Sequence, residues 1–205
     1  MRARFTTDEI AAAALRIVDT SGVAALSMRS LAATLGTGPM TLYNYVADKE
    51  GLEELVVAAI VAEVSLPAAT ADWQHDAHAV ATAMWRGIRA HPAAIPLVLT
   101  RRMASSTGFG AADALISALD RADLADQDRL AAFHSLLALV TGSAQADLAG
   151  PLVAARIGSV AGADYPNVEA LSKVAVESTA EDDFDRGLRM LLDGIASRRR
   201  TRRRG

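Results

Sequence analysis

Read for the spacing of apolar and polar positions, the chain opens with a run of short helical stripes separated by helix-stop residues. Ile10, Ala14, Ile17 and Val18 share one face of a 3.6-residue period. Thr6 stands where an N-cap belongs, Glu9 three residues later completes a capping box, and Phe5 with Ile10 forms a hydrophobic staple. Gly22 supplies the residue that can turn left-handed at the helix end. A second helix is predicted from Ser27, with Leu26 and Leu31 as its staple, to Gly36. A third runs from Pro39 to Tyr45, because proline suits a first helical position whose N–H has no partner anyway. Asp48 caps a fourth, carried through Leu52, Leu55, Val56, Ala59 and Ile60 toward Val64.

Pro67, inside an Ala/Thr run, marks the predicted joint between a small N-terminal module and the remainder. Beyond it the pattern predicts helices at about 72–90, 92–99, 109–122, 126–149, 167–176 and 181–199, with boundaries good to about 2–4 residues. Residues 101–110 and 150–166 are rich in Gly, Ser and Pro and read as loops. No strand-period segment and no internal repeat stands out. The predicted fold class is all-α, and 205 residues suffice for a sizeable core.

Composition supports helices: 51% of residues are hydrophobic but only 4% aromatic, with Ala and Leu dominant. There is no cysteine, which removes disulfides and thiolate metal sites. The apolar stretch 130–146 is short for a membrane span and carries His134, Ser135, Thr141, Ser143 and Gln145, so it reads as a buried helix. Nothing at the N-terminus resembles a signal peptide, and the expected location is cytoplasmic. The net charge of −3 hides six arginines between Arg198 and Arg204; without them 15 basic residues face 24 acidic ones. An acidic body is no footprint of nucleic-acid binding. Pattern has to carry that reading.

Two short helices joined at Gly36 are what a helix-turn-helix requires: the first lies across the DNA backbone and the second enters the major groove. The segment 26–52, with small residues after Leu31, Gly36, the Thr41-Leu42-Tyr43 triplet, an aromatic at 45, Lys49 and Leu52, resembles the signature of the tetracycline-repressor family. Thr37 departs from it, since a small aliphatic usually follows the turn glycine. Pro39, Met40, Thr41, Asn44 and Tyr45 lie on or near the leading face of the third helix. Met40 suits thymine methyls and Asn44 a base edge or a phosphate. Thr41, Tyr43 and Tyr45 carry hydroxyls suited to phosphate. The resemblance implies backbone contacts by Tyr43, Tyr45 and Lys49, a guanine contact by Arg29, and a cap that also meets phosphate at Ser27. It further implies a palindromic double-stranded DNA operator, a homodimer, an apolar small-molecule effector and no cofactor.

The implied organisation is a helix-turn-helix domain over residues 1–48, a connecting helix over 49–66, an effector-binding and dimerisation domain over 67–197, and a disordered Arg-rich tail over 198–205. Pocket candidates are Met84, Trp85, Ile88, Met103, Phe109, Phe133, His134 and Leu137, with His134 or Gln145 as the orienting polar group. In the last helix Phe184, Leu188, Leu191, Leu192 and Ile195 form a stripe, while Gly187 and Gly194 allow close approach. Phe184, Gly187, Leu188, Leu191, Gly194 and Ile195, paired with the 130–146 helix, are the expected dimer surface. His75 and His78 at i, i+3 near a helix start could hold a metal but lack further ligands. A helical enzyme finds no nucleophile–base pair, phosphate loop or metal set. The alternative is a helical ligand- or protein-binding bundle without regulated DNA binding, against which Thr41, Tyr43 and Lys49 argue.

Overall fold

The computed structural model describes residues 5–101, 109–148 and 165–198, and all of its regular structure is helical. Helix α1 spans Thr7–Ser21. Its capping box is closed: the Glu9 N–H donates to Thr6 Oγ1 at 3.1 Å and the Thr6 N–H to Glu9 Oε2 at 2.8 Å. Gly22 ends it at φ +78°, with its N–H returned to the Val18 carbonyl. Helices α2 (Met28–Thr34), α3 (Pro39–Leu42) and α4 (Lys49–Ala62) follow, and α3 is shorter than the predicted Pro39–Tyr45. Ile10, Leu26, Leu31, Leu42 and Leu52 are fully buried and form the core of this N-terminal unit.

The larger part consists of α5 (Trp73–Ala90), α6 (Ile95–Arg101), α7 (Phe109–Asp120), α8 (Asp126–Leu148), α9 (Pro166–Ala175) and α10 (Ala180–Ala196). Helix α5 is the central strut, packed against α7, α8 and α10. It runs antiparallel to α10, tied by Gln74 Nε2 to Asp193 Oδ1 at 3.2 Å, His78 Nε2 to Asp185 Oδ1 at 2.8 Å, and an Arg86–Glu181 ion pair. Trp85 is fully buried in this seam and stacks on Phe184, with ring centroids 4.4 Å apart and planes 3° from parallel. The Arg89 guanidinium lies 4.4 Å from the Trp85 ring centre, and the indole N–H finds no acceptor.

The connection from α4 to α5 is fastened at its far end. Asp76 is buried and accepts from the Thr70 N–H and hydroxyl, each at 2.8 Å, and from Arg121 Nη2 on the α7 side at 2.6 Å. Arg121 Nη1 also donates to the Thr70 carbonyl at 2.6 Å. Burial opposes ionisation of Asp76, but the Thr70 and Arg121 hydrogen bonds outweigh it and hold the carboxyl below its ordinary range. No described helix is long and apolar enough to cross a membrane.

Candidate nucleic-acid interface

The reading unit is set by two local motifs. At the end of α2 the Gly36 N–H bonds the Ala33 carbonyl at 3.2 Å and the Thr37 N–H bonds the Ala32 carbonyl at 2.9 Å. Those are the paired bonds of a Schellman turn, and Gly36 takes the left-handed φ of +62° it needs. Thr37 closes the turn through its backbone N–H, whatever its side chain. Ser27 and Ser30 cap α2 reciprocally, with N–H to Oγ distances of 3.1 and 3.0 Å.

Leu42 is completely buried and anchors α3, which turns its other face outward. Met40 is 78% exposed and Tyr43 51%. A large apolar side chain so exposed on a well-anchored turn is what a surface kept for a partner looks like. Pro39 and Asn44 are exposed and Thr41 is half-buried on the same segment. Tyr45 differs: its ring meets Phe5 edge-on at 6.4 Å, and its hydroxyl accepts from the Phe5 N–H at 3.2 Å.

Lys49 opens α4 and is exposed, with Nζ 3.9 Å from Glu53. The Asp48 carboxylate caps this helix by accepting from the Gly51 N–H at 2.9 Å. A Cβ at position 51 would come within 2.8 Å of Val46 Cγ1, so glycine lets the start of α4 seat tightly behind α3. Arg29 and Ser27 are exposed on α2. Arg29 and Lys49 are the basic residues of the segment 27–49.

The C-terminal candidates divide. A cavity of about 60 Å³ is lined by Val57, Ile60, Val61 and Val64 of α4 and its end, Met84 and Ile88 of α5, Val98, Ala111, Ala112, Leu137 and Thr141. Met84, Ile88 and Leu137 are therefore brought together; Trp85 and Phe133 are buried elsewhere, and Phe109 and His134 are exposed. Met103 lies outside the described residues. The polar side chain in the lining is Thr141, whose hydroxyl donates to the Leu137 carbonyl at 2.8 Å; Gln145 is exposed. Sequence spacing missed Thr141 because a threonine inside an apolar helix reads as filler.

On α10, Phe184, Leu188 and Ile195 face inward and complete the protomer's own core, whereas Leu191 and Gly187 are half-buried and Gly194 is exposed. A surface groove between α8 and α10 brings together the interface candidates Leu191, Gly194 and Ile195 with Met190, which is 67% exposed, against Asp128, Ala131 and Ser135. His78 is engaged by Asp185, and no group of three or more metal-ligating side chains occurs among the described residues. The arginine tail lies outside the described residues beyond Arg198, whose Nη2 is 3.6 Å from Asp128.

One residue had no sequence signal at all. His91 ends α5, and its Nδ1 meets Asp19 Oδ2 of α1 and its Nε2 meets Glu63 Oε2 at the end of α4, both at 2.9 Å.

Comparison with known proteins bears on the whole chain. The family described as "Tetracyclin repressor-like, C-terminal domain" matches residues 66–199. An HTH-type transcriptional regulator of Saccharopolyspora erythraea is 32% identical over 201 residues, covering 94% of this chain and 85% of that one. The HTH-type transcriptional repressor DrrR1 of Streptomyces coeruleorubidus is 28% identical, covering 93% and 77%. Among solved structures, the Streptomyces coelicolor TetR family protein ActR in complex with actinorhodin superposes with a TM-score of 0.81 at 25% identity, over 95% of this chain and 98% of that one. The protein belongs to the tetracycline-repressor-like family of helix-turn-helix transcriptional regulators.

Proposed function

We propose that the protein is a repressor that holds a palindromic operator as a homodimer and lets go when an apolar small molecule enters its C-terminal domain. The observation that carries the DNA part is the outward face of α3: exposed Met40, Tyr43 and Asn44 beside a buried Leu42, with an exposed Lys49 at the start of α4. In this reading Met40 and Asn44 read base edges, with Arg29 reaching a guanine from α2. Pro39 and Thr41 border the groove, and Tyr43, Tyr45, Ser27 and Lys49 take phosphates and set register. A two-fold dimer places two such helices about one helical turn apart. The α8–α10 groove with Met190, Leu191, Gly194 and Ile195 is the surface a second copy would cover. We read the chain as a regulator acting in the cytoplasm, without catalysis.

The effector site is the cavity that α4 and α5 enclose together with α6, α7 and α8. At about 60 Å³ it is far below the roughly 300–1,000 Å³ of ordinary ligand sites, so an effector has to part the helices that line it. ActR, of similar fold, is known in complex with actinorhodin, which favours an effector bound inside this helical body. Such coupling is usually about 1–3 kcal/mol.

Selection of bound duplexes from a random library tests the reading. The expected product is an inverted repeat with half-sites about one turn apart, lost with Tyr43→Ala. Enrichment of no motif, or of one that Tyr43→Ala still binds equally well, would overturn it.

A further inference from the structure

Three helix ends converge on one imidazole. Asp19 lies in the last turn of α1, Glu63 is the C-cap of α4, and His91 is the C-cap of α5. Each helix end carries partial negative charge, and neither α1 nor α4 has a basic residue in its last turn. The two carboxylates add full charges to the same spot. His91 is the cation that answers them, since both ring nitrogens face carboxylate oxygens at 2.9 Å and only imidazolium can donate from both. The 92–94 turn and α6 up to Thr100 bring no titratable side chain to the site. The joint is tight on the next turn of α5 as well: a Cβ on Gly87 would stand 2.7 Å from Val64 Cγ2.

The position of this joint gives it a role. Ile60, Val61 and Val64, which flank Glu63 in the chain, form the α4 wall of the cavity. An effector that widens the cavity on its α4 side pushes the end of α4 away from α5, and the His91–Glu63 contact is a polar bond across that gap. Because the cavity is too small for an effector as it stands, the closed contact belongs to the effector-free arrangement.

We propose that His91 is a positioning residue that locks the helix-turn-helix to the C-terminal helices in the operator-competent arrangement, and that effector entry acts by opening its contact with Glu63. This rests on the repressor reading above. Partial burial alone would lower the imidazole's affinity for a proton, but the hydrogen bonds to Glu63 and Asp19, and then their charges, reverse that and raise it above the ordinary value. A raised folded-state value means the lock is complete below the ordinary imidazole range and is lost as pH climbs through the raised value.

The chain has no cysteine, so Ala33→Cys on α2 and Ser117→Cys on α7 take spin labels at those sites alone. With labelled full-length chain diluted into unlabelled chain, pulsed dipolar spectroscopy should give one narrow separation below neutral pH. It should broaden as pH rises through the titration. His91→Gln should be broad throughout, and should bind a selected operator duplex about fivefold more weakly than wild type at low pH, with no further loss on raising pH. Glu63→Gln, which keeps a hydrogen-bonding side chain, should move the NMR titration midpoint of the His91 ring down toward the ordinary value. An unchanged distance distribution and pH profile in His91→Gln, or an unmoved midpoint in Glu63→Gln, would overturn the proposal. Failure to recover any operator would sink the repressor reading instead, while the label separation would still decide whether the joint exists.

Discussion

Ala112 offers a direct test of the cavity. It lies on α7, is 8% exposed and contributes to the wall. Ala112→Val adds two carbon atoms to a space of about 60 Å³. At about 0.8 kcal/mol for each buried carbon the gain is about 1.6 kcal/mol. Worked from the void instead, at about 24 cal/mol per Å³, it is about 1.4 kcal/mol. Valine in a helix costs roughly 0.5 kcal/mol relative to alanine, which leaves about 1 kcal/mol of net stabilisation. For a chain of this size that is a rise in Tm of about 2–4 °C, measured by circular dichroism. The filled cavity should also take up less of the apolar dye anilinonaphthalene sulfonate, while operator affinity stays within about twofold because the change touches no DNA-facing residue. A loss of more than about 1 kcal/mol would refute the reasoning, since that is the signature of overpacking and would mean the space is not there to fill.

Three further outcomes follow from other parts of the molecule. Lys49→Gln should weaken binding alike on all DNA sequences and reduce the slope of log K against log salt by about 0.9, read by fluorescence anisotropy; an unchanged slope would take Lys49 off the phosphate. Gly36→Ala should cost about 1–2 kcal/mol in urea unfolding, entirely from the left-handed φ, since no atom lies within 4 Å of the added methyl. Asp76, with its carboxyl held below the ordinary range, contributes stability at neutral pH that disappears as pH falls through its depressed value. Asp76→Asn should therefore be less stable at neutral pH and show a shallower acid limb between about pH 5 and pH 2, and an identical limb would contradict the network's role.

The parts of the fold legible in the sequence are those decided within one turn of helix. Thr6 with Glu9, Ser27 as a cap, Gly36 and Pro39 each act on backbone groups three or four residues away, so local pattern suffices. The reading unit was legible for the same reason, down to the outward placement of Met40 and Tyr43. Contacts between distant segments left no trace. Tyr45 meets Phe5 across 40 residues, and His91 finds Asp19 and Glu63 at separations of 72 and 28. A helical stripe also cannot say whether it faces its own chain or another: Phe184 and Leu188 have the right period for an interface yet are buried within the protomer, whereas Ile195 on the same row lines the α8–α10 groove. The outer face of α8 leaves Leu130 and His134 exposed on the single chain, which is the face the expected pairing with a second copy would have to cover.

The stacked pair in the α5–α10 seam has an optical consequence. The chain's two tryptophans, Trp73 and Trp85, both sit on α5 and both are buried. Trp85 has an indole N–H with no acceptor, an aromatic ring against one face and a guanidinium 4.4 Å from its centre. Its emission therefore reports the seating of α10 on α5, and a shift in that seam changes colour or intensity without any label. The protein carries its own gauge for the packing of α10, the helix that borders the surface groove with α8.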